Sequence, residues 1–209
     1  VGMNIGILIS GRGSNMLAII KAVENGEIPN AKVSVVISDK PNAAGIEKAK
    51  SCGIETLIIE REGLNREEHD EKILTELRKR KVEVVCLAGY MRLLSKKFIE
   101  AYPNRIVNIH PSLLPAFPGL DAQKQAIEYG VKVSGCTVHF VDEKLDHGPI
   151  ILQKAVEVKD DDTPESLSAR ILEQEHKIYV EALKLIAENK IEIRGRKVIL
   201  KKSAILEKF

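Results

Sequence analysis

Tryptophan is absent from this chain, and the other aromatics are limited to four Tyr and four Phe. Gln is scarce too, while Lys and Glu are abundant. That balance is the one surface ion-pair networks use at elevated temperature, so the composition leans toward a thermophilic source. Cysteine is sparse and widely spaced: Cys52, Cys86 and Cys136 form an odd trio with no CxxC pair. A zinc knot or a thioredoxin-like site needs closely paired ligands, so the spacing argues against both. Three reduced thiols are expected instead, at least one of them buried in a strand. Neither charge dominates, with 32 basic and 30 acidic side chains and a net charge of +2. So even a balance does not advertise a nucleic-acid surface, although a local basic patch is compatible with it. No apolar run approaches the ~18 residues a bilayer-spanning helix needs. Val1-Gly2-Met3 leads straight into a strand-like stretch, with no basic region followed by an apolar leader, so a cytoplasmic chain away from membranes is expected.

What is present is a soluble globular balance: 209 residues, 44% hydrophobic and 30% charged. A single domain of this size buries roughly 70% of its extended-chain surface and needs no staples. Strand-like runs at residues 5–10, 33–38, 54–59, 82–88 and 105–109 alternate with helical patterns at 15–25, 42–52, 65–81 and 95–101. Asn65 is placed to cap the third helix, with Glu68 as its capping-box partner. This rhythm predicts an α/β fold, a Rossmann-like doubly wound sheet of mostly parallel strands. The last third differs. Two longer strands at 133–141 and 149–158 suggest an antiparallel appendix, and Thr163-Pro164 opens a long helix reaching about residue 189. A terminal hairpin turning at Arg194-Gly195-Arg196 follows. No repeat, linker or low-complexity segment interrupts the chain, so one domain is expected.

Ligands of doubly wound sheets bind outside the carboxyl ends of the strands. Gly11-Arg12-Gly13-Ser14-Asn15 lies at such a place, between the first strand and first helix. Glycines there admit a ligand close to the backbone, and the helix start offers amides to an anion. Three readings stand: a tight turn with a cap, a single-phosphate site, and a dinucleotide loop. The dinucleotide fingerprint wants Gly or Ala where this chain has Met16, and its ribose-binding acid would be Asp39, which comes late.

Arg105-Ile106-Val107-Asn108-Ile109-His110 is the most informative stretch. Residues two apart in a strand face the same side, so Asn108 and His110 project together. Two polar groups on an apolar strand need partners, and at a strand end they suggest a site. Pro111, Pro115 and Pro118 stiffen the following loop and Gly119 releases it, which would hold a constellation still. His69 and His147 fit no such pattern and are expected to be solvated or locally bonded; His139 could be a core histidine or a site residue. Asp146, in the turn at residues 142–149, gains interest if it reaches His110, because a nearby carboxylate favours the imidazolium. Glu175 interrupts the apolar stripe of Leu167, Ile171, Ile178, Ala182 and Leu185. It either faces water at an end of the stripe or binds something.

Four ordered blocks carry a resemblance: Leu8-Ile9-Ser10-Gly11-Arg12-Gly13-Ser14-Asn15, Leu87-Ala88-Gly89-Tyr90-Met91-Arg92-Leu93-Leu94, Asn108-Ile109-His110-Pro111-Ser112-Leu113-Leu114-Pro115 and Leu145-Asp146-His147-Gly148-Pro149, with Gln174-Glu175-His176 in support. Together they resemble the phosphoribosylglycinamide formyltransferases, folate-dependent enzymes of purine synthesis, over about residues 4–190. The resemblance implies transfer of a formyl group from 10-formyltetrahydrofolate to glycinamide ribonucleotide without a metal. It implies that Gly13, Ser14 and Asn15 hold the phosphate and that Glu175 binds the glycinamide substrate. Arg66, Met91, Arg92, Leu93, Leu94 and Asp142 would meet the folate, and Asn108, His110 and Asp146 would be catalytic. The domain would then divide into a phosphate-binding part (1–110), a folate and catalytic part (111–190) and the terminal hairpin (191–209). His147 departs from the Gly of many relatives, and Arg12 stands at a variable position of the phosphate turn. Whether the chain forms a homodimer is left open.

Related chemistries fit less well. A methionyl-tRNA formyltransferase would be expected to carry a further RNA-contacting domain. A formyltetrahydrofolate hydrolase would be expected to have an additional regulatory domain and a second His where this chain has Pro111. An NAD-dependent oxidoreductase fits poorly with Met16 and with the lack of a second catalytic domain. A non-catalytic nucleotide-binding module would leave the Asn-His pair without a purpose.

Overall fold

A computed structural model describes residues 2–202. The elements run β1 (Met3–Ile9), α1 (Ser14–Glu24), β2 (Ala31–Ser38), α2 (Ala44–Ser51), β3 (Thr56–Ile58), α3 (Arg66–Lys79), β4 (Val84–Leu87), α4 (Lys96–Ala101) and β5 (Ile106–His110), then α5 (Ala122–Tyr129), β6 (Val133–Phe140), β7 (Ile150–Glu157), α6 (Pro164–Ala187), β8 (Ile191–Arg194) and β9 (Lys197–Leu200). Seven strands form one sheet in the order β3-β2-β1-β4-β5-β6-β7. Pairing is parallel from β3 to β5 and antiparallel from β5 through β7. The expected mostly parallel sheet with an antiparallel appendix is therefore present. The expected terminal hairpin is the separate β8–β9 pair; residues 203–209 of that segment lie outside the described residues.

Side chains alternate across the sheet and so build two cores. Ile5, Ile7, Ile9, Val84, Cys86 and Val107 pack on one face with α1, α2 and α6. Leu8, Val35, Ile37, Val85 and Ile106 pack on the other with Ile73, Leu74 and Leu77 of α3 and Phe98 of α4. Each fully buried aliphatic side chain of this kind contributes roughly 1.5–3 kcal/mol. Two of the thiols, Cys86 and Cys136, are buried in strands and all three are free.

The helix starts follow local chemistry. The Asn65 side chain accepts from the Glu68 amide, which is half of the expected capping box. Thr163 has the full reciprocal box, with Ser166 rather than Glu or Gln as its partner, and Pro164 follows at the first helical position. Lys- and Glu-rich surfaces carry small ion networks, including Arg80 with Glu55 and Glu76, and Glu71 with Arg78 and Lys97.

Two elements differ from the sequence reading. The sequence reading gives no helix at α5, where Ala122 and Ala126 are buried and Ile127 packs half-buried against the core. The helix is only eight residues long and no side chain caps its start at Asp121, so the usual local start signal is missing. His69 is not solvated: it is buried beside Asp70 on α3, with Nε2 2.7 Å from the Ile59 carbonyl oxygen.

Candidate active site

β1 delivers the chain to the turn at Gly11-Arg12-Gly13, where Gly13 adopts a left-handed backbone (φ 70°) at the head of α1. No side chain caps that helix start, so its positive end is available to an anion. Gly45 of α2 presses against the turn from behind. A Cβ there would lie 2.6 Å from Ile9 Cδ1 and 3.1 Å from the Gly11 oxygen. Met16 is fully buried beneath the turn, filling the place that a dinucleotide fingerprint keeps small. Asp39 is not free to hold a ribose either, since its carboxylate is bonded to Ser10 and Arg92. Both observations remove the support for a dinucleotide loop.

Asn15, in the first turn of α1, reaches across to α6. Its Nδ2 donates to Glu175 Oε1 at 3.2 Å, and both residues are buried. Asn15 Oδ1 is buried without a hydrogen-bond partner. Burial pushes the Glu175 carboxyl up to about 7, against the opposing pull of the Asn15 hydrogen bond. Of the two sequence readings of Glu175, exposure at an end of the stripe is excluded. The turn and the long helix thus place an unsatisfied carbonyl oxygen and a weakly acidic carboxyl side by side.

The other half of the site lies at the end of β5. Asn108 stands opposite His139 of β6, and His110 opposite Thr137. Directly opposed residues share a face, so these four polar side chains lie on the side of the sheet away from Val107, Cys136 and Val138. The expectation that Asn108 and His110 face the same way holds. His139 Nδ1 is 2.8 Å from the Phe140 carbonyl oxygen, so that nitrogen carries the proton and Nε2 is the acceptor. Asn108 Nδ2 lies 3.4 Å from this Nε2, which sets the amide's orientation and leaves its second N–H for a ligand. Burial pushes the His139 pKa down, with a partial offset from its backbone bond.

His110 is held from both sides. Nε2 donates to the Phe117 carbonyl at 2.7 Å, and Nδ1 lies 3.6 Å from Asp146 Oδ2. Both side chains of that pair are more than nine-tenths buried. The contact that sequence alone could not show is present, at a separation longer than a direct hydrogen bond. Asp146 is seated by the Gly119 amide, which donates to Oδ2 at 2.8 Å. The proline loop lies on β6 and β7: Thr137 Oγ1 donates to the Ser112 carbonyl, and Gln153 Nε2 to that of Leu114. Sequence reasoning missed Thr137, Gln153 and the Phe117 carbonyl. The alternation of Cys136, Val138 and Phe140 with Thr137 and His139 was the signal for a polar face on β6.

The residues expected to meet folate are less uniform. Met91 and Leu93 are exposed apolar side chains on the segment after β4, and Leu94 packs half-buried against the α3–α4 core. Arg92 pairs with Asp39 at 3.1 Å. Asp142 accepts from His147 Nδ1 at 2.7 Å and from the Lys144 amide. Burial acts to raise the Asp142 pKa, but these two bonds outweigh it and hold the carboxyl below its usual range. His147 is therefore locally bonded, as expected. Arg66 stands half-buried in the first turn of α3 and makes no hydrogen bond or ion pair with the other candidates among the described residues. Among the described residues no group of three or more His, Cys, Asp or Glu is arranged to hold a metal ion, and no helix is long and apolar enough to cross a membrane.

The description Formyl transferase belongs to the family whose model matches residues 3–183. A phosphoribosylglycinamide formyltransferase of Bacillus subtilis is 45% identical over 85% of this chain and 91% of its own length. The human trifunctional purine biosynthetic protein adenosine-3 is 46% identical over 90% of this chain and 19% of its own length. This chain spans 14% to 19% of the length of the trifunctional relatives it matches. Among solved structures, glycinamide ribonucleotide transformylase 1 of Symbiobacterium toebii superposes with a TM-score of 0.93 at 50% identity, covering 95% of this chain and 94% of that one. By the family match over residues 3–183 and these relatives, the chain belongs to the formyl transferase family, on its phosphoribosylglycinamide formyltransferase branch.

Proposed function

We propose that the chain transfers the formyl group of 10-formyltetrahydrofolate to the amine of 5-phosphoribosylglycinamide, a step of de novo purine biosynthesis. The observation that carries this reading is the convergence of two sites at one edge of the sheet. An anion-accepting turn beside Asn15 and Glu175 lies at the ends of β1 and α1, and Asn108, His110 and Asp146 gather at the end of β5. Gly13, Ser14 and Asn15 would hold the phosphate, and Glu175 the glycinamide end. The formyl donor would lie along Met91, Arg92, Leu93 and Leu94, with Arg66 and Asp142 at its flanks, spanning both parts of the domain.

In this mechanism the uncharged substrate amine attacks the formyl carbon directly. A carbon–nitrogen bond forms, and negative charge builds on the formyl oxygen. The free N–H of Asn108 and the Nδ1–H of His110 donate to that oxygen. Because Nε2 already donates to Phe117, Nδ1 is a donor only in the imidazolium, for which Asp146 is the counter-charge. Collapse breaks the bond to the donor nitrogen. The proton lost by the amine is delivered to that nitrogen, with the Asp146 carboxylate assisting its movement.

The test is turnover followed by folate absorbance, with the formyl donor and glycinamide ribonucleotide supplied together and separately. His110→Ala and Asp146→Asn should each lower kcat by about 10²–10³, and their losses should not add. Near-normal turnover in either folded variant would refute the scheme. Loss of the formyl group without the ribonucleotide would point to a hydrolase instead.

A further inference from the structure

Three strands that lie side by side, β2, β1 and β4, end at the same edge of the sheet, and one buried carboxylate ties together the segments that leave them. We propose that Asp39 is a positioning residue that locks the phosphate turn and the folate segment into one unit. This role rests on the formyl-transfer reading of the site.

Asp39 directly follows β2. Its side chain is completely buried, so its charge requires partners. Oδ1 accepts from the Ser10 hydroxyl at 2.5 Å, and Oδ2 accepts from Arg92 Nε at 3.1 Å. Ser10 Oγ in turn accepts from the Met91 amide at 2.9 Å. Since Met91 and Arg92 are consecutive, these bonds close into a ring. The ring runs from Asp39 to Ser10, on to Met91, through the chain to Arg92 and back to Asp39.

The position of this ring separates it from ordinary core packing. Ser10 immediately precedes Gly11, where the phosphate turn begins. Met91 and Arg92 open the segment assigned to the formyl donor. A shift of either segment is therefore transmitted to the other through two short bonds to one carboxylate. Arg92 spends only one of its five N–H groups on Asp39, and its side chain remains 38% exposed. It is anchored at Nε while the rest of the guanidinium stays available. Tyr90, beside the ring, has a buried hydroxyl without a hydrogen-bond partner. Burial, reinforced by the charges of Asp39 and Asp70, keeps that phenol protonated. The Tyr90 group thus adds no competing charge to the ring.

A structural carboxylate would affect stability alone, whereas a positioning carboxylate must affect the binding of both substrates. The experiment measures KM for each substrate, kcat and the melting temperature for wild type, Asp39→Ala, Asp39→Asn and Ser10→Ala. Asp39→Ala is expected to raise both KM values by about tenfold, the scale of one lost hydrogen bond to a charged group. Its kcat should change far less. The amide introduced by Asp39→Asn would still accept from Ser10 but carry no charge toward Arg92. That variant should therefore bring the ribonucleotide KM back toward wild type and leave the donor KM raised. Adding Ser10→Ala to Asp39→Ala should cause little further loss, because the two share one network.

Unchanged KM values in a folded Asp39→Asn variant, with only a lower melting temperature, would overturn the positioning role. A fall confined to kcat would overturn it as well. If Asp39→Ala does not fold, Asp39→Asn and Ser10→Ala decide between these outcomes. A wild-type chain that transfers no formyl group would instead overturn the function reading itself.

Discussion

Replacing Glu175 with Gln should make the protein more stable at neutral and alkaline pH, with the gain vanishing in acid. Glu175 is buried between α1 and β6, and burial pushes its carboxyl from an ordinary 4.5 up to about 7. Between those two values the unfolded chain has released a proton that the folded chain keeps. The unfolded state then binds fewer protons, so stability falls as pH rises through this window. The favourable contribution is fully present below about pH 4.5 and is lost as pH passes about 7. The gap between the two values corresponds to about 3 kcal/mol at 1.36 kcal/mol per pH unit. For a chain of this length that is roughly 6–12 °C in melting temperature. Gln has no proton to lose, and its carbonyl can still accept from Asn15. Thermal unfolding of both proteins from about pH 4.5 to about pH 8 checks the argument, because taking the difference cancels the other titrating groups. Cys136, the titratable neighbour on β6, does not interfere, since burial and the nearby Glu175 push its thiol up to about 12. A difference in melting temperature that stayed constant across the range would refute the account of Glu175. The same variant should bind the ribonucleotide more weakly, so stability and activity move in opposite directions.

Two further outcomes arise from close contacts. In Gly45→Ala the new Cβ meets Ile9 Cδ1, which can rotate, but also the Gly11 oxygen at 3.1 Å and Gly13 Cα at 3.3 Å, which belong to the turn proposed to hold the phosphate. The variant should lose about 1–3 kcal/mol, and its KM for the ribonucleotide should rise more than its KM for the formyl donor. An unshifted melting curve with unchanged KM values would contradict this. Arg196 of the β8–β9 turn donates to the His147 carbonyl, and it adds a positive charge near Asp142. Arg196→Ala should speed amide hydrogen exchange in residues 142–148 and raise the donor KM. Exchange identical to wild type would mean that the hairpin does not brace the Asp146 loop.

Much of this protein was legible from residue order. Strand and helix patterns are local, and they marked the parallel sheet, its antiparallel appendix and the terminal hairpin. Asn65 and Thr163-Pro164 marked helix starts because capping is a bond between near neighbours. The period of two along β5 put Asn108 and His110 on one face. The glycines at positions 11 and 13 marked the tight turn between β1 and α1, where Gly13 is left-handed. The short helix α5 escaped because it spans only eight residues and no side chain caps its start. His69, expected to be solvated or locally bonded, proved buried, as did its neighbour Asp70. On a helix as charged as α3, their inward position is set by which side the sheet occupies.

Tertiary structure decided how separate stretches meet. His110 and Asp146 are far apart in sequence, and only the packing of the 142–148 turn against Gly119 brings the carboxylate to 3.6 Å from the ring. Sequence offered Asp39 only as a late-placed ribose acid; setting the ends of β2, β1 and β4 side by side bonds its carboxylate to Ser10 and Arg92 instead. Glu175 could face water until α6 was laid across α1. Periodicity reports which face of an element a residue occupies. It carries no information about which other face will cover it, and the chemistry of a buried Asp, His or Glu is set by that partner.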